Sequence, residues 1–340
     1  MKHYIGIDIS ADEFHYCISS ADKGNKIESS CENNPIAIAR FIKRSIGPND
    51  VCIMESTGVY HHELAFALDE AGIRQYVVNP KTLSNYRSLF GGIAKTDRKD
   101  AQVLVRFLQA NEHLLKPYKI PSTKEVYLRV ILNDLGETKK SLLRYQNRLH
   151  SRERSFGKRH LNSILRKVNF YKAELKRLEK ELKELMKADF KEDMELLESI
   201  PGFGTLVSSW MIILYRSFKD SLYLYDGNIT KAFASYVGVV PTIYQSGKKK
   251  PIYRLKRSSC PAFRSILYMG MRSATYTTKK TNVFSRMKER FKERNPLMPA
   301  KKINIAICHK AVKIACAILE SRKPYQDNFQ SKHPYAQFSA

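Results

Sequence analysis

The sequence has few of the features that mark secreted or membrane proteins. Its six cysteines are widely separated, and none stands in a C-x-x-C pair, which argues against a disulfide framework or a cysteine-rich zinc site. Cys52 and Cys316 lie in apolar segments and are predicted to be buried thiols. The first apolar stretch is interrupted by Asp8, and the longest apolar runs are too short to cross a bilayer. We therefore expect a cytoplasmic protein without a membrane partner.

Glycine-rich phosphate loops are missing as well. The dipeptide Gly247-Lys248 has no glycine five positions before Gly247, so it does not form a P-loop. The segment I-G-I-D at residues 5–8 also resembles the opening strand of the actin-like and sugar-kinase ATPases. Those folds need further glycine-rich phosphate loops, which this chain lacks. Nucleotide-driven phosphotransfer is therefore disfavoured.

Acidic residues are scarce, and they become scarcer along the chain. The 340 residues include 59 Lys and Arg but only 33 Asp and Glu, which gives a formal net charge of +26. Residues 1–100 carry a net charge of −1, residues 101–200 one of +8, and residues 201–340 one of +19. The last 140 residues are therefore predicted to bind a polyanion, and nucleic acid is favoured over an anionic lipid surface.

Residues 1–115 show the pattern of an α/β domain. Three short strands are followed by a helix, a strand, a helix, a strand and two further helices. This order predicts an antiparallel meander extended by a parallel half, which matches an RNase H-like fold.

Four acidic residues occupy key positions in this domain. Asp8 lies in HYIGIDIS, Glu55 in VCIMESTGVY, and Asp97 and Asp100 in AKTDRKDA. In an RNase H-like sheet the strands of Asp8 and Glu55 are neighbours, and a helix carrying Asp97 and Asp100 on one face would complete the site. Carboxylates gathered in this way are predicted to bind Mg²⁺ or Mn²⁺ and to act on a phosphodiester.

Each acid also has a structural explanation. Asp8 would end a strand, Asp97 would cap a helix, and Asp100 would pair with a neighbouring Lys or Arg. His61 and His62 are close to Glu55 in sequence, but we expect them at the surface of the first turn of a helix rather than as ligands.

Residues 120–195 are predicted to form a long helical arm. Ser122 and Glu125 make a capping box, and leucines then recur at spacings of three and four. The pattern is interrupted near Ser155–Gly157 and then resumes. It indicates a helical hairpin or an intermolecular coiled coil, and the second alternative would produce homo-oligomers.

The third region, 196–325, is predicted to be mainly helical and is followed by a tail at 326–340. IPGFG at residues 200–204 has the pattern of a helix-hairpin-helix turn, in which Gly202 and Gly204 would let the backbone approach a phosphate. A simple connection between two helices is the alternative. Further helices are expected at 229–237, 261–275 and 300–321.

Ser246 is a second chemical candidate in this region. It is followed by Gly247 and by Lys248, Lys249 and Lys250, which would leave room for a phosphodiester and neutralise its charge. A turn serine in a basic nucleic-acid-binding loop is the other interpretation, and the residues alone favour it.

The motifs GIDIS, MESTG and KTDRKDA, followed by IPGFG, YVGVVP and QSG, resemble those of the DEDD transposases of bacterial insertion sequences. This family includes the Piv-type DNA invertases, and the similarity spans nearly the whole chain. The resemblance implies that Asp8, Glu55, Asp97 and Asp100 form the four-acid site of a RuvC-like domain. It also implies that Ser246 is the nucleophile of a C-terminal transposase domain.

The resemblance further implies a recombinase that acts through a covalent 5′-phosphoserine link to DNA. Its partners would be double-stranded donor and target DNA and a structured non-coding bridge RNA encoded by the element. The RuvC-like and serine domains would form composite sites between the subunits of a dimer or tetramer. A bacterial or archaeal protein associated with the nucleoid is expected.

The chain departs from the family after the serine. Relatives carry a K-x-G-N-x-x-L-R-like motif, whereas this chain has LKRSSCPAFRSIL, with Ser258 in place of the glycine. The basic character is kept, and contacts with the nucleic-acid backbone are predicted for Arg254, Lys256, Arg257 and Arg264.

Two other functions fit parts of the pattern. A RuvC-like nuclease or Holliday junction resolvase would use the four acids to hydrolyse DNA with water and would not need Ser246. A non-catalytic nucleic-acid-binding scaffold would need neither the acids nor the serine.

Overall fold

The computed structural model describes residues 2–20, 26–56, 60–89, 97–157, 161–220, 228–245, 252–255, 258–276 and 281–327, without the side chains of residues 97, 98, 156, 252 and 253. The chain divides into two compact units. The N-terminal unit is Met1–Pro121 with Lys219–Asp226, and the C-terminal unit is Ser122–Phe218 with Gly227–Ala340. The predicted arm and the helices after it share one hydrophobic core within the C-terminal unit. Their division into separate domains stays a prediction.

The N-terminal unit is built on a five-stranded sheet. Its elements are β1 (His3–Ile9), β2 (Glu13–Ser20), β3 (Lys26–Glu32), α1 (Pro35–Ser45), β4 (Val51–Glu55), α2 (His62–Glu70), β5 (Arg74–Val78), α3 (Pro80–Ser88) and α4 (Asp97–Asn111). The strand order is β3-β2-β1-β4-β5. Antiparallel pairing joins β1, β2 and β3, whereas β1 pairs with β4, and β4 with β5, in parallel. The predicted meander and its parallel extension are both confirmed.

The two faces of this sheet pack against different helices because side chains alternate along each strand. Ile5 and Ile7 of β1 lie in one hydrophobic cluster with residues of α1 and α2. Ile53 of β4 lies in another cluster, which contains Leu83 of α3 and Leu104 of α4. The α4 side of the sheet is therefore the side opposite Ile5 and Ile7.

A glycine in the central strand lets α4 lie directly on the sheet. A Cβ atom built on Gly6 would lie 2.2 Å from the carbonyl oxygen of Ala101 and 2.9 Å from the backbone nitrogen of Val105. Farther back along β1, the Tyr4 hydroxyl donates a 3.0 Å hydrogen bond to Glu112, in the 3₁₀ turn that follows α4. Gly6 thus faces the first half of α4 and Tyr4 faces its C-terminal end, so α4 runs antiparallel to β1.

The C-terminal unit opens with α5 (Thr123–Phe156) and α6 (Asn162–Asp189). The predicted capping box is confirmed, because Ser122 Oγ accepts from the Glu125 N–H and Glu125 accepts from the Ser122 N–H. The helix ends just before Gly157, at the predicted interruption.

The two helices pack as an antiparallel hairpin. Lys139 lies 3.6 Å from Glu179, and farther along α5 the Tyr145 ring stacks on Tyr171 at 5.4 Å between centroids. The seam residues of α5 that are buried in the shared core are Leu128, Leu132 and Leu135. This packing explains the leucine pattern within one chain, and an intermolecular coiled coil stays a prediction.

Six further helices and a β-hairpin complete the described part of this unit. They are α7 (Lys191–Glu198), α8 (Thr205–Lys219), α9 (Ile229–Val237), β6 (Pro241–Tyr244), β7 (Ile252–Leu255), α10 (Pro261–Tyr276), α11 (Val283–Arg294) and α12 (Ala300–Ser321). The helices predicted at 229–237, 261–275 and 300–321 are confirmed. The sequence did not indicate α11, whose residues are mostly charged, or the short antiparallel pairing of β6 with β7.

A buried carboxylate connects three of these helices. Asp193 of α7 is 5% exposed and accepts from Arg216 of α8 at 2.8 Å. It also pairs with Arg322, the residue at the C-terminal cap of α12. The chain remains packed as far as Asp327, which pairs with Arg286 at 2.8 Å. No helix within the described ranges is both long and apolar enough to cross a membrane.

Candidate catalytic site and nucleic-acid interface

Asp8 and Glu55 lie on the same face of the sheet. The parallel register pairs Gly6 with Ile53 and Ile7 with Met54, and Asp8 and Glu55 are the next residues of the two strands. Asp8 is two residues after Gly6, which faces α4, and Glu55 is two residues after Ile53, which packs against α4. Both carboxylates are half-buried. The two acids that are 47 positions apart in sequence are therefore neighbours on the α4 side.

The N-terminal end of α4 lies level with Asp8. Two residues of β1 beyond Gly6 advance by roughly 6.6 Å, and the four residues of α4 from Ala101 back to Asp97 advance by roughly 6 Å. Because α4 runs antiparallel to β1, the two displacements have the same direction. Asp97 and Asp100 are therefore carried by the turn of α4 that lies beside Asp8. The side chain of Asp97 is outside the described part of the structure.

Asp100 has a cationic partner in the described structure. It is 4% exposed, and its Oδ1 lies 2.7 Å from the guanidinium nitrogen NH2 of Arg87 on α3. The structural explanation considered for Asp100, an ion pair with a basic neighbour, thus applies. Arg87 gave no sequence signal, because its pairing depends on how α3 and α4 pack.

The residues present suit a hard divalent cation in their chemistry, since all four acids supply carboxylate oxygens. The described side chains do not include three His, Cys, Asp or Glu close enough together to hold a metal ion. The side chain of Asp97 is not among the described side chains, and Asp100 is paired with Arg87 in this structure. The metal site therefore stays a prediction.

One of the two histidines, His61, differs from expectation. His61 is 5% exposed, so its predicted surface position is wrong. Its ring lies 4.3 Å from the ring of His62 between centroids, and its Nδ1 has no hydrogen-bond partner among the described residues. Burial and the neighbouring His62 lower the pKa of His61 to about 4. We therefore assign His61 to the core of the N-terminal unit.

The turn between α7 and α8 uses its two glycines differently. Gly202 has φ +85°, and a Cβ atom at this position would lie 2.5 Å from the carbonyl oxygen of Gly270 on α10. Gly204 is exposed, and a Cβ atom there would meet nothing within 4 Å among the described residues. Close packing accounts for Gly202 without a ligand. Gly204 has the open space that an approaching phosphate needs, and the phosphate contact stays a prediction.

The predicted nucleophile lies outside the described residues. Ser246, Lys248, Lys249 and Lys250 belong to the segment between β6 and β7. Tyr244 of β6 and Ile252 of β7 are paired in the antiparallel ladder, and this is the described strand pair that flanks the segment.

The remaining basic residues fall into three groups. Arg254 is exposed on β7, whereas Lys256 and Arg257 are outside the described residues. Arg264 of α10 donates a 3.3 Å hydrogen bond to the carbonyl oxygen of Gly238, the left-handed cap of α9. Part of its role is therefore structural.

Ser258 stands where relatives have glycine, and its hydroxyl organises the turn before α10. The residue is 7% exposed, and its Oγ accepts a 3.1 Å hydrogen bond from the Cys260 N–H. The side chain thus supplies a local hydrogen bond that glycine does not offer.

A basic stripe on α11 was missed by the sequence analysis. Arg286, Arg290 and Arg294 follow each other at intervals of four residues and line one cleft together with Lys310 of α12. Intervals of four place side chains on one helix face, so the run SRMKERFKER contained the signal. Arg290, Arg294 and Lys310 form no ion pair within the described ranges.

Comparison with known proteins gives relatives over almost the whole chain. Two pilin gene-inverting proteins, from Moraxella lacunata and Moraxella bovis, are each 24% identical over 338 residues, which is 95% of this chain and 98% of theirs. Among solved structures, T. thermophilus RuvC in complex with a Holliday junction substrate is similar over 33% of this chain and 96% of that chain. Its identity is 10% and its TM-score 0.25.

Two family models match in sequence order. The DEDD transposase model of the IS110 type matches residues 5–152, the region that contains all four acids. The model described as transposase of the IS116/IS110/IS902 family matches residues 194–286, the region that contains Ser246. The chain therefore belongs to the IS110 family of transposases.

Proposed function

We propose that this protein is a site-specific DNA transposase or recombinase that cuts and rejoins strands, with Ser246 as nucleophile and with a metal site formed by four acids. The observation that carries the proposal is the shared face of the sheet. Asp8 and Glu55 lie on the α4 side, and the antiparallel course of α4 carries Asp97 and Asp100 to the same end. Membership of a transposase family and the two gene-inverting relatives support DNA rearrangement as the outcome.

The N-terminal unit is inferred to be a RuvC-like catalytic domain. Its strand order β3-β2-β1-β4-β5, with one antiparallel and one parallel half, is the arrangement expected for an RNase H-like fold. In such a sheet the central strand and its parallel neighbour carry the acids, as β1 and β4 do here.

The four acids would hold Mg²⁺ or Mn²⁺. When bound, the ion polarises a phosphodiester and favours the ionised form of an attacking hydroxyl. The Arg87 guanidinium lies 2.7 Å from the buried Asp100 carboxylate and offsets its negative charge. Asp8 and Glu55 are half-buried, so both remain partly accessible to solvent.

The covalent step follows from the attack of Ser246 Oγ on a DNA phosphorus. A P–Oγ bond forms, the P–O3′ bond breaks, and the protein becomes linked to the 5′ phosphate. The serine proton passes to a base, and the released 3′ oxygen takes up a proton. Attack of another 3′ hydroxyl on the phosphoserine reverses these changes and rejoins the strand, so no external energy source is consumed.

The partners follow from this chemistry and from the family. Donor and target DNA duplexes are the substrates, and a structured bridge RNA pairs with both. Composite sites form between the RuvC-like and serine domains of different subunits in a dimer or tetramer. The exposed cations, including Arg254 of β7 and Arg290 and Arg294 of α11, neutralise phosphates.

Ser246→Ala tests the nucleophile. The substrate is DNA that carries the ends of the element. The wild-type protein is expected to remain covalently attached to a cut strand, which is seen on a denaturing gel. Ser246→Ala is expected to bind this DNA and to give no adduct. Ser259→Ala is the matched control, since Ser259 is an exposed serine of the same basic stretch, and it should keep the adduct.

The same gel separates the rival functions. Cut strands without attached protein, unchanged in Ser246→Ala, would indicate hydrolysis by water in a RuvC-like nuclease. Neither cutting nor adduct, together with unchanged DNA binding in every variant, would indicate a scaffold.

Asp8→Asn tests the acid site independently of DNA. Mg²⁺ or Mn²⁺ should raise the thermal unfolding temperature of the wild-type protein because a ligand of the folded state stabilises it. This rise should be lost in Asp8→Asn and kept in Asp12→Asn, whose side chain is exposed just beyond β1. Equal rises in all three proteins would remove Asp8 from the metal site.

A further inference from the structure

The hairpin of α5 and α6 has two halves with different charge. The outer half, defined as residues 139–172, contains eleven Lys and Arg and one acidic residue, a net charge of +10. The inner half, residues 122–138 and 173–190, contains seven Lys and Arg and eight acidic residues, a net charge of −1. The whole excess of positive charge in residues 122–190 therefore lies in the outer half of the sequence.

The inner half neutralises its charges internally. Arg177 bridges Glu174 and Glu181, each at 2.7 Å, and Lys180 lies 3.7 Å from Glu184. Such pairs within and between helices are how a solvated hairpin surface is normally stabilised. The inner half therefore needs no external partner.

The outer half does not follow this arrangement. Its described cations from position 144 onward are all exposed, and none forms an ion pair with another described residue; they are Arg144, Arg148, Arg152, Arg154, Arg166, Lys167 and Lys172. The one acid in this half, Glu153, also forms no ion pair within the described ranges. The charge is thus presented to solvent without compensation.

The spacing of these cations is unfavourable for an isolated helix. Arg144, Arg148 and Arg152 stand at intervals of four residues on one face of α5. Like charges at this spacing destabilise a helix by about 0.2–0.5 kcal/mol per pair. A row that costs stability in the free protein is the arrangement expected for a surface that meets a polyanion.

The aromatic residues of the outer half hold part of this row in place. Tyr145 of α5 stacks on Tyr171 of α6, with 5.4 Å between centroids and an interplanar angle of 16°. The Lys167 ammonium lies 5.1 Å and the Arg148 guanidinium 5.9 Å from the centre of the Tyr145 ring. Cations from both helices are thereby gathered around one ring, which joins the two basic surfaces.

We propose that the outer half of the hairpin binds the phosphate backbone of a nucleic-acid duplex. From Arg144 to Arg152 the row extends roughly 12 Å along α5, the axial length of three to four phosphates at about 3.4 Å per phosphate on one strand. A second copy of the hairpin is a poor occupant, because two outer halves repel each other. The recognised chemistry is a double row of phosphates, which DNA and structured RNA share.

The test uses the full chain and a triple variant, Arg144→Gln with Arg148→Gln and Arg152→Gln. The matched control is Lys176→Gln with Lys180→Gln and Lys183→Gln, which removes three exposed cations from the inner half. Affinity for labelled duplexes of random sequence, about 30 base pairs of DNA or of RNA, is measured by fluorescence anisotropy at several salt concentrations. Thermal unfolding of both variants is followed in parallel.

The outer variant is expected to bind at least about ten-fold more weakly. The slope of log affinity against log salt should fall by about three, one for each phosphate that is no longer neutralised, whereas the control keeps the wild-type slope. The outer variant should be as stable as the wild type or more stable, because the repulsion between like charges is removed. Replacement of the three arginines by lysine should restore the slope.

Each remaining outcome decides the proposal. A loss confined to the DNA probe or to the RNA probe identifies which duplex the outer half binds. Equal slopes in the outer variant, the control and the wild type overturn the proposal and leave a solvated basic surface. The binding measurement needs no cleavage, so its result is independent of whether Ser246 is the nucleophile.

Discussion

The Gly6 Cα and the carbonyl oxygen of Ala101 lie so close that a Cβ atom on Gly6 would be 2.2 Å from that oxygen. This approach brings α4 against the central strand of the sheet. Asp8 lies two residues farther along β1, and Asp100 precedes Ala101 by one residue. The packing of one helix on one strand thus determines how near the acids of α4 come to the acids of the sheet.

Gly6→Ala is expected to separate α4 from the sheet. The added methyl group meets backbone atoms, which cannot rotate away, so we expect a loss of about 1–3 kcal/mol or more of unfolding free energy. Urea-induced unfolding measures this loss of free energy. Gly136→Ala is the control, because a Cβ atom there meets nothing within 4 Å among the described residues. In the helix interior this change should stabilise by up to about 1 kcal/mol. Equal unfolding midpoints for the two variants would contradict the packing argument.

Gly202→Ala and Gly204→Ala separate packing from phosphate binding. The first change places a Cβ 2.5 Å from the Gly270 oxygen at φ +85° and should destabilise the C-terminal unit by about 1–3 kcal/mol. The second change should leave the free energy of unfolding within about 0.5 kcal/mol of the wild-type value. A drop in DNA affinity of the stable Gly204→Ala protein would support a backbone–phosphate interaction at this turn. Unchanged affinity would assign the turn to packing alone.

Asp193→Asn is expected to weaken the connection of α7, α8 and α12. The buried carboxylate pairs with Arg216 and Arg322, whose side chains are 45% and 44% exposed. Because both arginines are partly solvated, we expect a loss of about 2–3 kcal/mol, less than for a fully buried pair. Glu192→Gln is the control: its side chain is 74% exposed and pairs with the same Arg322. Chemical denaturation that finds the two variants equally stable would rule out this role for Asp193.

Because the pKa of His61 is lowered, we expect the protein to lose stability in acid. Its pKa in the folded protein is about 4, below the value near 6.5 of an unfolded chain, so protonation favours unfolding. The imidazolium would also stand at the N-terminal end of α2, where the helix dipole opposes positive charge. Stability is therefore complete above about pH 6.5 and falls as the pH drops from about 6.5 towards 4. The loss is at most about 1.4 kcal/mol per pH unit.

The variant His61→Gln isolates this effect. Unfolding free energies of wild type and variant are compared from about pH 7.5 to about pH 4.5, so that contributions common to both proteins cancel. The wild-type protein should lose more stability than the variant across this range. Parallel pH profiles would show that the pKa of His61 is the same in the folded and the unfolded protein, which would contradict the prediction.

Much of the fold could be predicted because it depends on local patterns. The Ser122 and Glu125 capping box, the end of α5 at Gly157 and the strand and helix order of the N-terminal unit all arise from residues close in sequence. The short strands β6 and β7 and the helix α11 were missed. β6 and β7 have four residues each, and the charged residues of α11 hide its few apolar ones.

The sequence by itself determined the four acids, the serine, the family motifs and the gradient of positive charge, because residue type and spacing are properties of the chain alone. Only the tertiary structure decided that Asp100 pairs with Arg87, that His61 is buried, that Gly202 packs against Gly270 and that Arg264 donates a hydrogen bond to Gly238. These interactions join residues on different elements. Their energies depend on distances that no local pattern specifies, so they exist only once helices and strands have packed.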